Sequence, residues 1–143
     1  MFPKDLEKNI CDIICNLTPS SSMPENSVLN ESVYFDRSQK SNEAWTKLIY
    51  PYLAIAKQFE IHCWNEESEW IDLALQYGDK KESDWKYGHV IVGEITPKFI
   101  EMILSLPKPV DTEIYNKMTP FFNIFLDDKF QSCHYGTENY FTK

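Results

Sequence analysis

Glycine is scarce in this chain: Gly78, Gly88, Gly93 and Gly136 are the only four in 143 residues, and no two are adjacent. Loops that wrap phosphates or bring backbone against a cofactor use clustered glycines. Neither G-x-x-x-x-G-K-[ST] nor G-x-G-x-x-G occurs, and H-E-x-x-H, G-x-S-x-G and C-x-x-C are missing too. Their absence removes the phosphate loop, the dinucleotide turn, the metalloprotease helix, the nucleophile elbow and the redox dithiol. No cofactor and no metal are expected. Arginine is scarcer still, since Arg37 stands alone among 14 basic residues, against 22 acids and a net charge of −8. Phosphate backbones are held by lysine and arginine, so direct nucleic-acid binding is not expected. No stretch of eighteen apolar residues exists, and no membrane span is expected. The N-terminal MFPKDLEKNICDIICNL mixes acids and lysines through its apolar positions and does not read as an export signal. Cys11, Cys15, Cys63 and Cys133 are then expected to be reduced thiols of a cytoplasmic protein.

What is present is apolar and aromatic mass. Hydrophobic residues make up 43% and aromatics 15% of the chain, enough for a core without disulfides or metal. One domain over 1–143 is expected. Leu6, Ile10, Ile13, Ile14 and Leu17 share one helical face, which predicts a helix over 3–17. Residues 18–32 (TPSSSMPENSVLNES) are rich in Ser, Pro and Asn and read as the most mobile internal loop. A short strand is expected at 33–36. A helix capped by Ser41 should run to Ala56, with a kink or break at Pro51. Phe59 to Trp64 alternates as a strand. A helix over 66–77 should be capped by Asn65 and stopped by Gly78, with Trp70, Ile71, Ala74, Leu75 and Tyr77 inward. Residues 79–87 read as a charged connection, His89 to Ile95 as a strand, and Thr96-Pro97 as the start of a helix ending near Pro107. The segment 107–120 gives no clear pattern. FFNIFL and KFQSCHY around Asp127-Asp128 read as an antiparallel hairpin. The fold class expected is α+β, a mostly antiparallel sheet with helices packed on one side.

Candidate chemistry is thin. His62-Cys63 and Cys133-His134 sit on strands that neighbouring pairing could bring together, as a thiol–imidazole dyad or a zinc site would need. Successive side chains on a strand point to opposite faces, so at most one member of each pair should face a common site, and buried structural cysteines are the expectation. His89 has no second residue fixed near it by spacing and reads as a surface histidine. Asp127-Asp128 reads as a turn.

Charge patterning says more. Between Glu66 and Trp85 seven acids (Glu66, Glu67, Glu69, Asp72, Asp79, Glu82, Asp84) stand against Lys80 and Lys81, which is five of the eight net negative charges. Trp64, Trp70, Tyr77, Trp85 and Tyr87 are interleaved with them. Aromatic anchors supply buried contacts and acids steer association, so Trp64, Glu66, Glu67, Glu69, Asp72, Asp79, Glu82, Asp84, Trp85 and Tyr87 form a candidate surface for a basic protein. The competing reading is one helix's solvated acidic face with Trp70 in the core.

In size, acidity and the aromatic–acidic segment 64–87, the chain resembles bacterial immunity proteins, including the partners of contact-dependent growth-inhibition toxins. That resemblance implies a non-enzymatic inhibitor that occludes a basic toxin domain, commonly a nuclease, in the cytoplasm. The alternatives are a small cofactor-independent enzyme using its His, Cys and Asp residues, and a nucleic-acid mimic. A mimic would spread its acids along a long face, whereas these concentrate in one segment.

Overall fold

A computed structural model describes residues 29–36, 38–110 and 116–142. The helix expected at 3–17, most of the loop at 18–32 and part of 107–120 lie outside the described residues. Among the described residues, seven strands form one sheet: β1 (Glu31–Tyr34), β2 (Gln58–Trp64), β3 (Asp79–Lys81), β4 (Gly88–Glu94), β5 (Asn123–Leu126), β6 (Phe130–Cys133) and β7 (Glu138–Phe141). Their spatial order is β1-β7-β6-β5-β2-β4-β3, and every neighbouring pair is antiparallel. With the helices α1 (Glu43–Ile55), α2 (Ser68–Leu75) and α3 (Pro97–Ser105), the architecture is α+β. Among the described residues, no helix is long and apolar enough to cross a membrane.

The two-residue period of the strands sorts their side chains between two faces. Phe59, Ile61 and Cys63 of β2, Ile91 of β4, Ile124 and Leu126 of β5 and Phe130 of β6 meet the inward residues of all three helices. Those are Trp45, Ile49 and Leu53 of α1, Ile71 and Ala74 of α2, and Phe99, Met102 and Ile103 of α3. Phe59 stacks on Phe99 with ring centres 4.0 Å apart. Within this apolar face the Trp45 indole N–H donates to Ser132 Oγ at 3.2 Å. The opposite face carries a second, smaller cluster of Trp64, Phe122, Phe125, Cys133 and Tyr135, with Trp85 and Tyr140 against it.

Local chemistry sets the element ends. The Thr96 hydroxyl accepts the Phe99 N–H at 3.1 Å and Pro97 opens α3, as its missing donor and fixed φ allow. Of the kink or break expected at Pro51, the break does not occur: α1 runs unbroken through it. Pro51 and Lys47 are both exposed, so the carbonyl that loses its partner there faces water. α2 begins later than expected, at Ser68 with Glu67 as its cap residue. Asn65 instead extends the β2–β4 pairing, its N–H donating to Tyr87 O at 2.9 Å and its side chain to Lys86 O at 3.0 Å. Within α2, Ile71 and Ala74 are buried, whereas Leu75, expected inward, is 40% exposed. The charged connection contains β3, and the chain ends in an additional strand, β7.

Candidate functional site

On the face away from the helices, β2 presents Glu60, His62 and Trp64 where an apolar strand would present hydrophobic residues. Glu60 and His62 are 2% and 0% exposed. Burying such groups is costly unless their hydrogen bonds are made, and here a chain of them is made. In the β2–β5 register His62 faces Asn123. The backbone N–H of His134 donates to Asn123 Oδ1 at 3.3 Å. That fixes the amide, so its NH2 group points at His62 Nδ1, 3.2 Å away. Nδ1 therefore accepts, the ring proton sits on Nε2, and Nε2–H donates to Glu60 Oε2 at 2.8 Å. Lys81 Nζ, from β3, reaches the other Glu60 oxygen at 3.4 Å. Strands β2, β3 and β5 and the turn after β6 thus hold one carboxylate in one orientation. Phe125 lies edge-on to the His62 ring at 4.8 Å and Trp85 lies 5.9 Å from it.

Beyond Glu60 the face opens into a cavity of about 530 Å³, bordered by Glu60, Lys81, Val92, Phe125, Asp127 and Asp128. Asp127 does more than turn the β5–β6 hairpin. With φ at 51° it starts the turn, and its carboxylate accepts the N–H groups of Lys57 and Gln58 at 2.9 Å each, clamping the start of β2.

The β6–β7 turn is the second distinctive element. His134, Tyr135 and Gly136 have φ of 51°, 60° and 84°, a left-handed run that costs a non-glycine residue roughly 1–2 kcal/mol. Backbone bonds offset the cost. Tyr135 N–H donates to Phe122 O, its carbonyl accepts from Met118 N–H and Thr119 N–H, and Thr137 N–H donates to His134 O. A side chain at position 136 would collide with Trp45 and Met118, so glycine is required there. The turn aims the Tyr135 hydroxyl at Glu67 Oε2, 2.9 Å away, and sets His134 Nδ1 2.5 Å from Glu138 Oε2.

The predicted surface residues divide. Glu66, Glu69, Asp72, Asp79, Glu82, Asp84 and Tyr87 are exposed. They lie on and just before α2, which packs over β2 and β4, and on the edge strand β3 with the connection that follows it. Trp64 is 3% exposed and packs against Trp85 and Phe122, with ring centres 5.1 and 5.0 Å away, so its indole is core. Trp85 is half-buried, its indole nitrogen enclosed. Glu67 turns inward, its Oε1 accepting the Trp64 N–H at 2.8 Å. Burial pushes its carboxyl above the ordinary range, against the pull of that bond and of Tyr135.

The cysteine–histidine pairs do not form a dyad. Cys63 is buried on the helix side, with its thiol pushed far up by burial and by Glu67, and Cys133 is buried in the second cluster. What converges is His62, through its ring, and His134, through its backbone N–H, both on Asn123. Among the described residues, no group of three or more His, Cys, Asp and Glu side chains is arranged to hold a metal. His89 is half-buried, and its Nδ1 is enclosed without a hydrogen-bond partner among the described residues. Sequence reading missed Glu60 and Asn123. Their signal is a lone polar residue in an otherwise apolar strand: Glu60 in QFEIHCW and Asn123 opening NIFL after Phe121-Phe122. Comparison with protein-family models, curated proteins and solved structures finds no match to this chain.

Proposed function

We propose that this chain is an immunity-type inhibitor: it binds a basic toxin domain, a nuclease as the resemblance implies, and neutralises it by occlusion in the cytoplasm. The observation that carries the reading is the set of exposed acids on consecutive elements at one end of the sheet. Glu66, Glu69 and Asp72 lie on and before α2, and Asp79, Glu82 and Asp84 lie on and after β3, with Tyr87 beside them at 53% exposure. Acids so placed raise the encounter rate with a cationic surface, and one exposed aromatic supplies a contact to bury. β3 is short and charged, which protects a sheet edge from strand addition, so side chains rather than backbone should make the contact.

A second reading draws on the Glu60–His62–Asn123 chain: a small cofactor-independent enzyme with Glu60 as its base at the cavity. Stoichiometry separates the two. The chain should capture a basic protein from extracts of its source. Expressed alone, that protein should arrest growth, and one equivalent of the inhibitor should silence it. A captured protein that is harmless alone, or silencing at far below one equivalent, overturns the inhibitor reading.

A further inference from the structure

Glu60 is the anomaly of the fold. A carboxylate whose side chain is 3% exposed sits mid-sheet, held by His62, by Asn123 behind it and by the His134 backbone. A leucine there would fold more cheaply. A fully supported polar chain ending at a cavity is how proteins preorganise a recognition group. The cavity fits a cation with an apolar stem. Its walls include Phe125 and Val92, and Glu60, Asp127 and Asp128 border it, with Lys81 against Glu60, Lys129 3.6 Å from Asp128 and Asp127 bound to the Lys57 and Gln58 N–H groups. It is also continuous with the acidic edge: Val92, on its wall, faces Asp79 across the β3–β4 register, and Glu82 follows Lys81 directly.

We infer that this cavity is the socket for one arginine side chain of the basic partner, with Glu60 as the buried acceptor of its guanidinium. The inference rests on the reading of the acidic edge as a docking surface. Arginine suits the site better than lysine, because its planar fork brings several donors to carboxylates that Lys81 and Lys129 meet with one ammonium each, while its stem and flat face lie on apolar and aromatic walls. In the free protein Lys81, with its side chain 27% exposed, holds the place 3.4 Å from Glu60. It sits on the edge strand and can swing to water when a better donor arrives.

The test uses Nα-acetyl-arginine amide as the probe, titrated into the full chain at constant ionic strength and followed by amide chemical shifts. The uncharged isostere Nα-acetyl-citrulline amide is the control. Saturable shifts at Glu60, Lys81, Val92 and Phe125 are expected with the arginine probe and not with citrulline. Glu60→Gln keeps an oxygen for the His62 N–H, so the fold is retained, and it should weaken the arginine probe at least about tenfold, as loss of a charge-assisted hydrogen bond does. Lys81→Met removes the competitor and should tighten it by about threefold, the scale of a part-exposed ion pair. Absence of saturation, equal binding of citrulline, or binding indifferent to Glu60→Gln overturns the socket. The docking reading has its own judge, charge reversal at Glu66 and Glu69, which leaves Glu60 untouched.

Discussion

Strand β2 divides the molecule between two chemistries. Phe59, Ile61 and Cys63 enter an apolar layer beneath the three helices, while Glu60, His62 and Trp64, one residue out of phase, enter a layer of aromatic rings threaded by hydrogen bonds. Both layers are buried, but they contribute differently. On the helix side each fully buried side chain contributes roughly 1.5–3 kcal/mol by leaving water. On the polar side each hydrogen bond returns only about 0.5–1.5 kcal/mol net, and losing one partner costs more than making the bond gained. The helix side therefore specifies the fold. The polar side spends stability to hold Glu60 and the 134–136 turn in set orientations, which is what a binding site requires.

The largest effect expected is on the helix side. Phe99→Ala removes a fully buried ring stacked on Phe59 and should cost about 3–5 kcal/mol in urea unfolding. A loss below about 1 kcal/mol would mean that this layer is not the main core. Next comes His62→Leu, which strands Glu60 Oε2 and the Asn123 amide in a buried layer. It should cost about 2–4 kcal/mol. Adding Glu60→Leu should return part of that loss, since replacing both partners by apolar groups is gentler than orphaning one. A double variant as unstable as the sum of the singles would break the contrast between the faces. The smallest effect belongs to Glu67. Its carboxyl is raised by burial, so its stabilising share is full below the ordinary carboxylate range and lost as pH rises through the raised value. Glu67→Gln keeps an acceptor for the Trp64 N–H and should flatten that part of the pH–stability profile, with little change at acid pH. An unchanged profile would show that Glu67 is not desolvated.

The same contrast decides what could be read from sequence. The helix side was legible because period matches structure: Phe99 and Ile103 in α3, Ile49 and Leu53 in α1 and the alternation of β2 place these elements within a few residues. β3 was not legible, because an edge strand of Asp79, Lys80 and Lys81 carries no apolar alternation, and charge there serves to keep the edge unpaired. β7 was missed for a related reason, its Glu138 and Asn139 being fixed by tertiary partners rather than by pattern. Of the candidate surface, the exposed acids were legible as solvated positions around α2. Trp64 and Glu67 were not, since an indole and a carboxylate next to acids look like surface until Phe122 and Tyr135, far along the chain, enclose them. The His62–Asn123–His134 convergence depends on the β2–β5–β6 pairing and on a left-handed turn, neither of which is encoded in local spacing.

The central claim is that the exposed acids at the β3 end meet a basic partner, and association kinetics test it most directly. The association rate of the captured partner should be measured against ionic strength for the native chain and for Glu66→Lys with Glu69→Lys. Steering predicts association slowed about tenfold or more at low salt, a flatter salt dependence and a nearly unchanged dissociation rate. Equal association rates with equal salt slopes would contradict it.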